Sequence, residues 1–208
     1  MFMPGLDILK RLVEQKAAGP TASFTELHLA KAIDIIGREP IGRLGLSERL
    51  GLGEGTTRTL IDRLLEARLV KISKRGCELT DRGLSMMKDL DSKLGAKARV
   101  PRSPITVGPR DFGILVRKAA SKVSSGIEQR DAAVRAGANG AVTLLFKHDQ
   151  LLMPSAEGSK TRQSPDAVGL IVKNFRPEEN DVVVIAGGDT ERLAENGAWA
   201  GAWTLLKS

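Results

Sequence analysis

The segment Leu44–Thr80, LGLSERLGLGEGTTRTLIDRLLEARLVKISKRGCELT, decides the fold of the N-terminal half of the chain. Its first part predicts a short helix, because Leu44, Leu46 and Leu50 suit a buried helical side. Gly51 then allows the left-handed backbone that a sharp turn between two helices needs. A further helix is predicted to begin near Gly53, so this part of the segment predicts a helix-turn-helix.

The second helix and the residues after it predict a DNA-contacting surface. The apolar spacing of this helix leaves polar residues toward solvent or a DNA groove, where short hydroxyls and an arginine suit base edges and phosphates. Residues 69–73 alternate in strand fashion, residues 74–76 form a turn and residues 77–79 return, which predicts a small basic wing. The predicted DNA-binding residues are Glu54, Thr56, Arg58, Thr59, Arg63, Lys74 and Arg75.

The charge distribution favours a polyanionic partner for this half. The chain has 32 basic and 25 acidic residues, net +7. Residues 1–100 hold 18 of the basic and 13 of the acidic residues, so most of the excess lies there. The segment from Arg58 to Arg75 contains six basic and two acidic residues. Contacts of that type with phosphates supply affinity and salt dependence rather than sequence choice.

The run LGLGEGTTRTLIDRLLEARLV at residues 50–70 resembles, without gaps, the recognition-helix segment of MarR-type winged-helix regulators. The following ELTDRG, at residues 78–83, resembles the wing and closing-helix start of many bacterial and archaeal repressors. The likeness covers residues 24–94 and departs from MarR proteins in its shorter wing. With GIEQRDAAVRAGANGAVTLLF at residues 126–146, the whole layout resembles an archaeal family of winged-helix regulators whose second domain has no assigned function. The resemblance implies a transcriptional regulator.

The predicted fold class is α+β: an N-terminal winged helix-turn-helix domain at residues 1–94 and a C-terminal α/β two-layer domain at residues 105–208. Between them, residues 95–104 are predicted to be a basic linker, since two prolines lie there among basic residues. In the C-terminal domain, residues 105–107 and 112–116 are predicted strands. A hairpin turning at His148-Asp149 and a helix capped by Ser164 follow.

Two groups of residues are candidates for binding an anionic small-molecule effector. The strand DVVVIA at residues 181–186 ends in two glycines and feeds a helix, a junction that can expose amides to a phosphate or carboxylate. A polar cluster on the helix after residue 126 could line a pocket at the sheet edge with residues 110 and 111, although an ordinary surface ion pair is the alternative. The candidates are Arg110, Asp111, Arg130, Asp131, Gly187, Gly188, Asp189 and Thr190.

The composition argues against several other classes. One cysteine excludes an intramolecular disulfide and, with two distant histidines, makes a metal site implausible. There is no span of about 20 apolar residues and no apolar run suited to a signal peptide, which predicts a cytoplasmic protein without membrane contact. Neither a nucleophile with its base nor a nucleotide-binding loop is recognisable, so we expect no cofactor and no enzymatic activity.

The leading hypothesis is a homodimeric, double-stranded-DNA-binding transcriptional regulator whose C-terminal domain pairs subunits or senses a metabolite. One alternative is an enzymatic or ligand-binding C-terminal domain tethered to the winged helix. Another is a winged helix that binds protein, or binds nucleic acid without sequence preference.

Overall fold

The computed structural model describes residues 4–14, 23–155 and 160–207 and divides the chain into two compact units, residues 1–91 and 92–208. The first unit is mainly helical and the second contains a large sheet, so the α+β class predicted from the sequence is confirmed.

The N-terminal unit consists of helices and one small hairpin. Gly51 closes the third helix in the left-handed conformation, with φ 71°, as the turn prediction requires. The elements are α1 (Pro4–Val13), α2 (Glu26–Arg38), α3 (Arg43–Leu50), α4 (Glu54–Glu66), β1 (Val70–Ser73), β2 (Gly76–Leu79) and α5 (Asp81–Lys93).

The predicted buried side of α3 is partly wrong. Leu46 and Leu50 are buried, but Leu44 is 59% exposed. In an α-helix, residues four apart share a face, whereas residues two apart point about 200° away from each other. Leu44 therefore lies opposite Leu46. In α4, by contrast, the inward positions follow the predicted spacing, and its buried residues are Thr57, Leu60, Ile61 and Leu64.

The hairpin β1–β2 is fixed to the segment that precedes α3. The amide of Ile41 donates to the carbonyl of Cys77 at 3.2 Å, and the amide of Cys77 donates to the carbonyl of Ile41 at 2.8 Å. Gly76 makes this approach possible, because a Cβ there would lie 2.5 Å from the carbonyl atoms of Ile41 and the backbone has φ 120°. The hairpin therefore has a defined position relative to the start of α3.

The C-terminal unit is built on a six-stranded antiparallel sheet. The strands are β3 (Leu94–Val100), β4 (Arg110–Val116), β5 (Gly140–Lys147), β6 (Gln150–Pro154), β7 (Lys160–Arg162) and β8 (Val182–Gly188), and their order in the sheet is β3-β4-β8-β5-β6-β7. His148 and Asp149, both with positive φ, form the predicted turn between β5 and β6. The helices are α6 (Ile127–Arg135), α7 (Pro165–Phe175), which Ser164 caps as predicted, and α8 (Glu191–Lys207).

Helices cover both faces of this sheet, so the predicted two-layer arrangement is wrong. All seven residues of β8 are buried. Val183 and Ile185 belong to the apolar cluster that contains residues of α7, whereas Val184 lies against Gly201 of α8 on the other face. A strand whose residues all lack polar side chains has no face suited to water, and a second helical layer satisfies it.

The structure also differs from the predicted linker at residues 95–104. Residues 95–100 continue strand β3 and pair with β4. Ala96 and Ala98 pack against the buried cluster that includes Val100, and the basic residues alternate with them. The sequence-based prediction of a linker relied on the positive charge and overlooked this alternation of apolar and basic residues, which is typical of a strand. Residues 105–107, predicted to be a strand, form part of the loop between β3 and β4.

Candidate nucleic-acid interface

The outer face of α4 carries the exposed polar side chains predicted for DNA contact. Arg58 and Thr59 are exposed, and Thr56 is half-buried. Within the described part of the chain, no ion-pair partner lies near the Arg58 guanidinium. Its five N–H donors therefore face solvent, in a geometry that suits guanine edges or phosphates.

The hydroxyl of Thr59 is oriented by the helix itself. Its Oγ1 donates a hydrogen bond to the carbonyl of Gly55 at 3.2 Å. A hydroxyl used in this way keeps its lone pairs as acceptors, so Thr59 presents an acceptor and a methyl group outward. These two groups complement a base amino group and a thymine methyl.

Glu54 forms a surface ion pair at the start of α4. Its Oε2 lies 3.6 Å from an Nη of Arg43, and both side chains are about half exposed or more. A pair of this kind contributes about 0–1 kcal/mol, so both groups remain available to a partner. Arg43 was not among the predicted site residues, because it lies in α3 and becomes a neighbour of Glu54 in α4 only through the turn between the two helices.

Arg63 does not point outward with the other predicted residues. Its Nη1 donates to the carbonyls of Leu12 and Val13, the latter at 3.1 Å, and its guanidinium lies 5.2 Å from the ring centre of Phe24. The last carbonyls of a helix have no partner within the helix and attract a cation. The prediction of Arg63 as a groove-facing residue thus overlooked α1, whose end lies against this side of α4.

The turn of the β1–β2 hairpin carries two basic residues, Lys74 and Arg75, and the charge of one of them is offset by an acidic neighbour. Arg75 donates to Glu78 at 3.1 Å, Ser73 donates to the same carboxylate at 2.7 Å, and the Lys71 ammonium lies 3.9 Å away. The hydrogen bond from Ser73 is the main cause that lowers the pKa of Glu78. The hydrogen bond from Arg75 and the positive charges of Arg75 and Lys71 lower this pKa further. Lys74 is exposed and has no ion pair with any residue that the structure describes. Of the two hairpin residues predicted to bind DNA, Lys74 is therefore the one whose charge is not offset by an ion pair within the described residues.

In the C-terminal unit, two of the effector candidates, Asp111 and Gly187, contact the same loop. Asp111 is buried, and its Oδ1 accepts hydrogen bonds from the amides of Val107 at 2.8 Å and Gly108 at 3.2 Å. Burial raises the pKa of Asp111, and the two amides oppose that rise. Gly187 packs directly on the same loop, since a Cβ there would lie 2.4 Å from the nitrogen of Gly108. Asp111 and Gly187 thus stabilise and pack against this loop, whereas Arg110 is exposed beside Gly188.

The start of α8 is capped by its own chain. Thr190 Oγ1 accepts a hydrogen bond from the amide of Leu193 at 3.2 Å, which is the geometry of an N-cap. Asp189 accepts one from the side-chain amide of Asn139 at 2.9 Å. The glycine junction predicted to expose amides to a ligand therefore already satisfies one of them.

The structure separates the members of the second group of effector candidates, because Arg130 and Asp131 on α6 do not share a cavity with Arg110 and Asp111. Arg110 and Asp111 line a cavity of about 270 Å³, together with Arg99, Arg102 and Glu191. Arg130 lines a different cavity of about 260 Å³ that shares none of these residues, and it is paired with Asp131 at 3.0 Å. The sequence pattern could not reveal this separation, because it arises from the order of the strands.

Comparisons with known proteins match both halves of the chain. Residues 30–85 match the family model "PH0730-like, N-terminal domain", and residues 107–205 match "Domain of unknown function (DUF4443)". The chain is also similar to a solved archaeal structure, the hypothetical protein PH0730 from Pyrococcus horikoshii OT3. The two share 26% identity and a TM-score of 0.70 over 89% of this chain and 94% of that chain. No curated protein matches the chain. The archaeal likeness expected from the sequence is confirmed, and these matches assign no activity.

Two further features bear on the predicted partners. Within residues 4–14, 23–155 and 160–207, no group of three or more metal-ligating side chains is arranged to hold an ion. None of the helices in these ranges has the length and apolar character needed to cross a membrane.

Proposed function

We propose that the chain is a DNA-binding transcriptional regulator whose N-terminal unit is a winged helix-turn-helix. The observation that carries the proposal is the set of exposed, unshielded basic side chains on α4 and on the wing, Arg58 and Lys74. They extend from the two elements that a winged helix presents to DNA. Arg58, on the second helix of the helix-turn-helix, enters the major groove, and Lys74 contacts the phosphate backbone.

The proposed regulator acts as a homodimer on an inverted repeat. Two symmetry-related recognition helices then contact half-sites about 34–36 Å apart, one turn of DNA. The C-terminal unit contributes subunit pairing or the sensing of a small anion. The arginines around the 270 Å³ cavity and the α6 cavity both support an anionic ligand. A ligand changes DNA affinity only if it binds the two arrangements of the recognition helices differently.

The test compares Arg58→Ala and Lys74→Ala on the DNA upstream of the protein's own gene and on a shuffled duplex. Fluorescence anisotropy across a salt series gives the dissociation constant and its salt slope. We expect Arg58→Ala to weaken specific binding about tenfold to a hundredfold, the usual cost of one base contact. Lys74→Ala weakens both duplexes alike and lowers the salt slope by about one. Equal losses on both duplexes for Arg58→Ala would contradict sequence recognition by α4.

A protein-binding role for the N-terminal unit is the second candidate, because two of its large apolar side chains are more than half exposed. Leu44 is 59% exposed and Ile72, on the wing, is 61% exposed. Apolar residues at such positions suit a protein partner better than a phosphate backbone. Substituting both by serine distinguishes the candidates: a DNA-binding unit retains its affinity for duplex DNA, whereas a protein-binding unit loses its partner.

A further inference from the structure

A cavity of about 260 Å³ lies at the start of α6, beneath the ends of β5 and β6. Its volume is close to the lower end of the range for small-molecule sites, which is about 300 Å³. The cavity wall is partly polar, with Ser125, Arg130 and Thr143, and partly apolar, with Ile127, Val142 and Met153 among its residues. Such a wall suits a small molecule with one polar end and one apolar end.

The start of α6 is only partly capped by side chains. Its N-cap residue is Gly126, in the left-handed conformation with φ 78°, and the neighbouring Ser125 hydroxyl accepts a hydrogen bond from the first amide, that of Ile127, at 3.4 Å. The first amides of a helix lack partners inside the helix and carry a partial positive charge. Because glycine has no oxygen to offer them, the amides at Glu128 and Gln129 are open to an external acceptor.

A buried hydroxyl next to this helix start also lacks a partner. Thr143 is only 4% exposed, and within the described part of the chain its Oγ1 finds no hydrogen-bond partner. Thr143 lies beside the start of α6, because a Cβ added to Gly126 would lie 3.2 Å from its Cβ and 3.4 Å from its Oγ1, and Thr143 is one of the residues that line the cavity. An unsatisfied buried hydroxyl is destabilising, and a hydrogen bond to a ligand oxygen removes that penalty.

Arg130 adds a held cation to the same wall. Asp131 accepts hydrogen bonds from its Nε at 3.2 Å and its Nη2 at 3.0 Å, which leaves the other N–H groups of the guanidinium unused by this pair. Gln129 fixes the helix from behind, because its Nε2 donates to Thr204 Oγ1 of α8 at 2.7 Å. Since Asp131 offsets the charge of Arg130, the site favours a monoanion over a dianion.

We propose that this cavity binds a small organic acid, a carboxylate with a short apolar chain. The carboxylate accepts hydrogen bonds from the first amides of α6, from Thr143 Oγ1 and from Arg130. The chain of the acid packs against Ile127 and Met153. Binding at this site does not depend on DNA binding by the N-terminal unit, and only its use in regulation rests on the proposed function.

The experiment titrates the full-length protein, without DNA, with sodium butyrate at constant ionic strength. Amide chemical shifts are followed by NMR, and inorganic phosphate serves as the comparison ligand. We expect saturable shifts at residues 126–129 and 143. Thr143→Val and Arg130→Gln are expected to weaken butyrate binding at least tenfold. Arg135→Gln, an exposed arginine on the same helix, changes it less than twofold.

Several outcomes would overturn the proposal. They are shifts that grow without saturation, shifts centred on the cavity of Arg99, Arg102 and Arg110, or tighter binding of phosphate than of butyrate. If Thr143→Val does not fold, Thr143→Ser decides the role of the hydroxyl together with Arg130→Gln. Thr143→Ser keeps the hydroxyl and is expected to bind butyrate within threefold of the parent protein. Loss of binding in Thr143→Ser, or full binding in Arg130→Gln, contradicts the assigned contacts.

Discussion

Replacing Arg63 by methionine separates the structural role of this residue from a role in DNA contact. Methionine keeps an unbranched apolar stem against Phe24 but removes the donors to the carbonyls of Leu12 and Val13. The matched control is Arg58→Met, the same substitution on the exposed face of the same helix. The structure predicts opposite effects for the two variants.

The magnitude follows from the contacts that are lost. A hydrogen bond from a charged donor contributes about 1.5–3 kcal/mol, and a cation–π contact about 0.5–1 kcal/mol at an exposed site. Because Arg63 is only half-buried and its two carbonyl acceptors share one nitrogen, we expect a total loss of about 2 kcal/mol. For a unit of this size, that lowers the melting temperature by roughly 10 °C. Arg58→Met is expected to change stability by less than about 0.5 kcal/mol.

The two units can be observed separately during unfolding. The chain has no tyrosine, and both tryptophans, Trp199 and Trp203, lie in the C-terminal unit. Tryptophan fluorescence therefore follows that unit, while far-UV circular dichroism follows the helices of both. In Arg63→Met the fluorescence transition stays in place and an earlier dichroism transition appears. The DNA dissociation constant, measured below that transition, stays within about threefold of the parent value.

One result would refute this account of Arg63. If Arg63→Met unfolds like the parent protein but loses DNA affinity as strongly as Arg58→Met, then Arg63 contacts DNA and its bonds to α1 contribute little. The original groove-facing prediction would then be restored.

Three further predictions concern the N-terminal unit. Burial and then the charge of Lys31 lower the pKa of His28, whose Nδ1 accepts the amide hydrogen of Thr25 at 3.0 Å. The imidazole of His28 is therefore protonated more readily in the unfolded chain than in the folded protein. We expect the free energy of unfolding, measured with denaturant, to be highest above about pH 6.5 and to fall as the pH drops below that value. In His28→Gln this free energy should depend less on pH. Glu78→Gln removes the carboxylate that offsets Arg75, and a salt series should show tighter binding to every duplex, whereas unchanged affinity would mean that the wing does not touch DNA. Gly76→Ala places a methyl group against the carbonyl of Ile41 at a position with positive φ, so it should lower the free energy of unfolding by about 2 kcal/mol or more, as followed by circular dichroism. Gly55→Ala is the control, because the added methyl meets no atom within 4 Å and should not destabilise α4.

Local patterns determined the elements whose identity depends on neighbouring residues. The glycine at the end of α3, the inward spacing of α4, the basic hairpin, the turn at His148-Asp149 and the Ser164 cap all follow from residues within one or two turns of each other. In each, backbone conformation or a short-range hydrogen bond limits the choices, so the sequence alone suffices. The exposure of Arg58 and Lys74 was predictable for the same reason.

Only the tertiary structure decided where these elements meet. The position of Arg63 in α4 suited contact with a DNA groove. Its guanidinium instead donates hydrogen bonds to carbonyls at the end of α1, about fifty residues earlier in the chain. Residues 95–100 have the charge of a linker, yet β4 offers them an edge to pair with. Strand order places Arg130 and Arg110 in different cavities and brings Thr143 next to the start of α6. Contacts between residues that are far apart in the chain produce no periodic pattern in the sequence. Burial restricts the size and polarity of each residue, but it does not indicate which distant residue will be its neighbour.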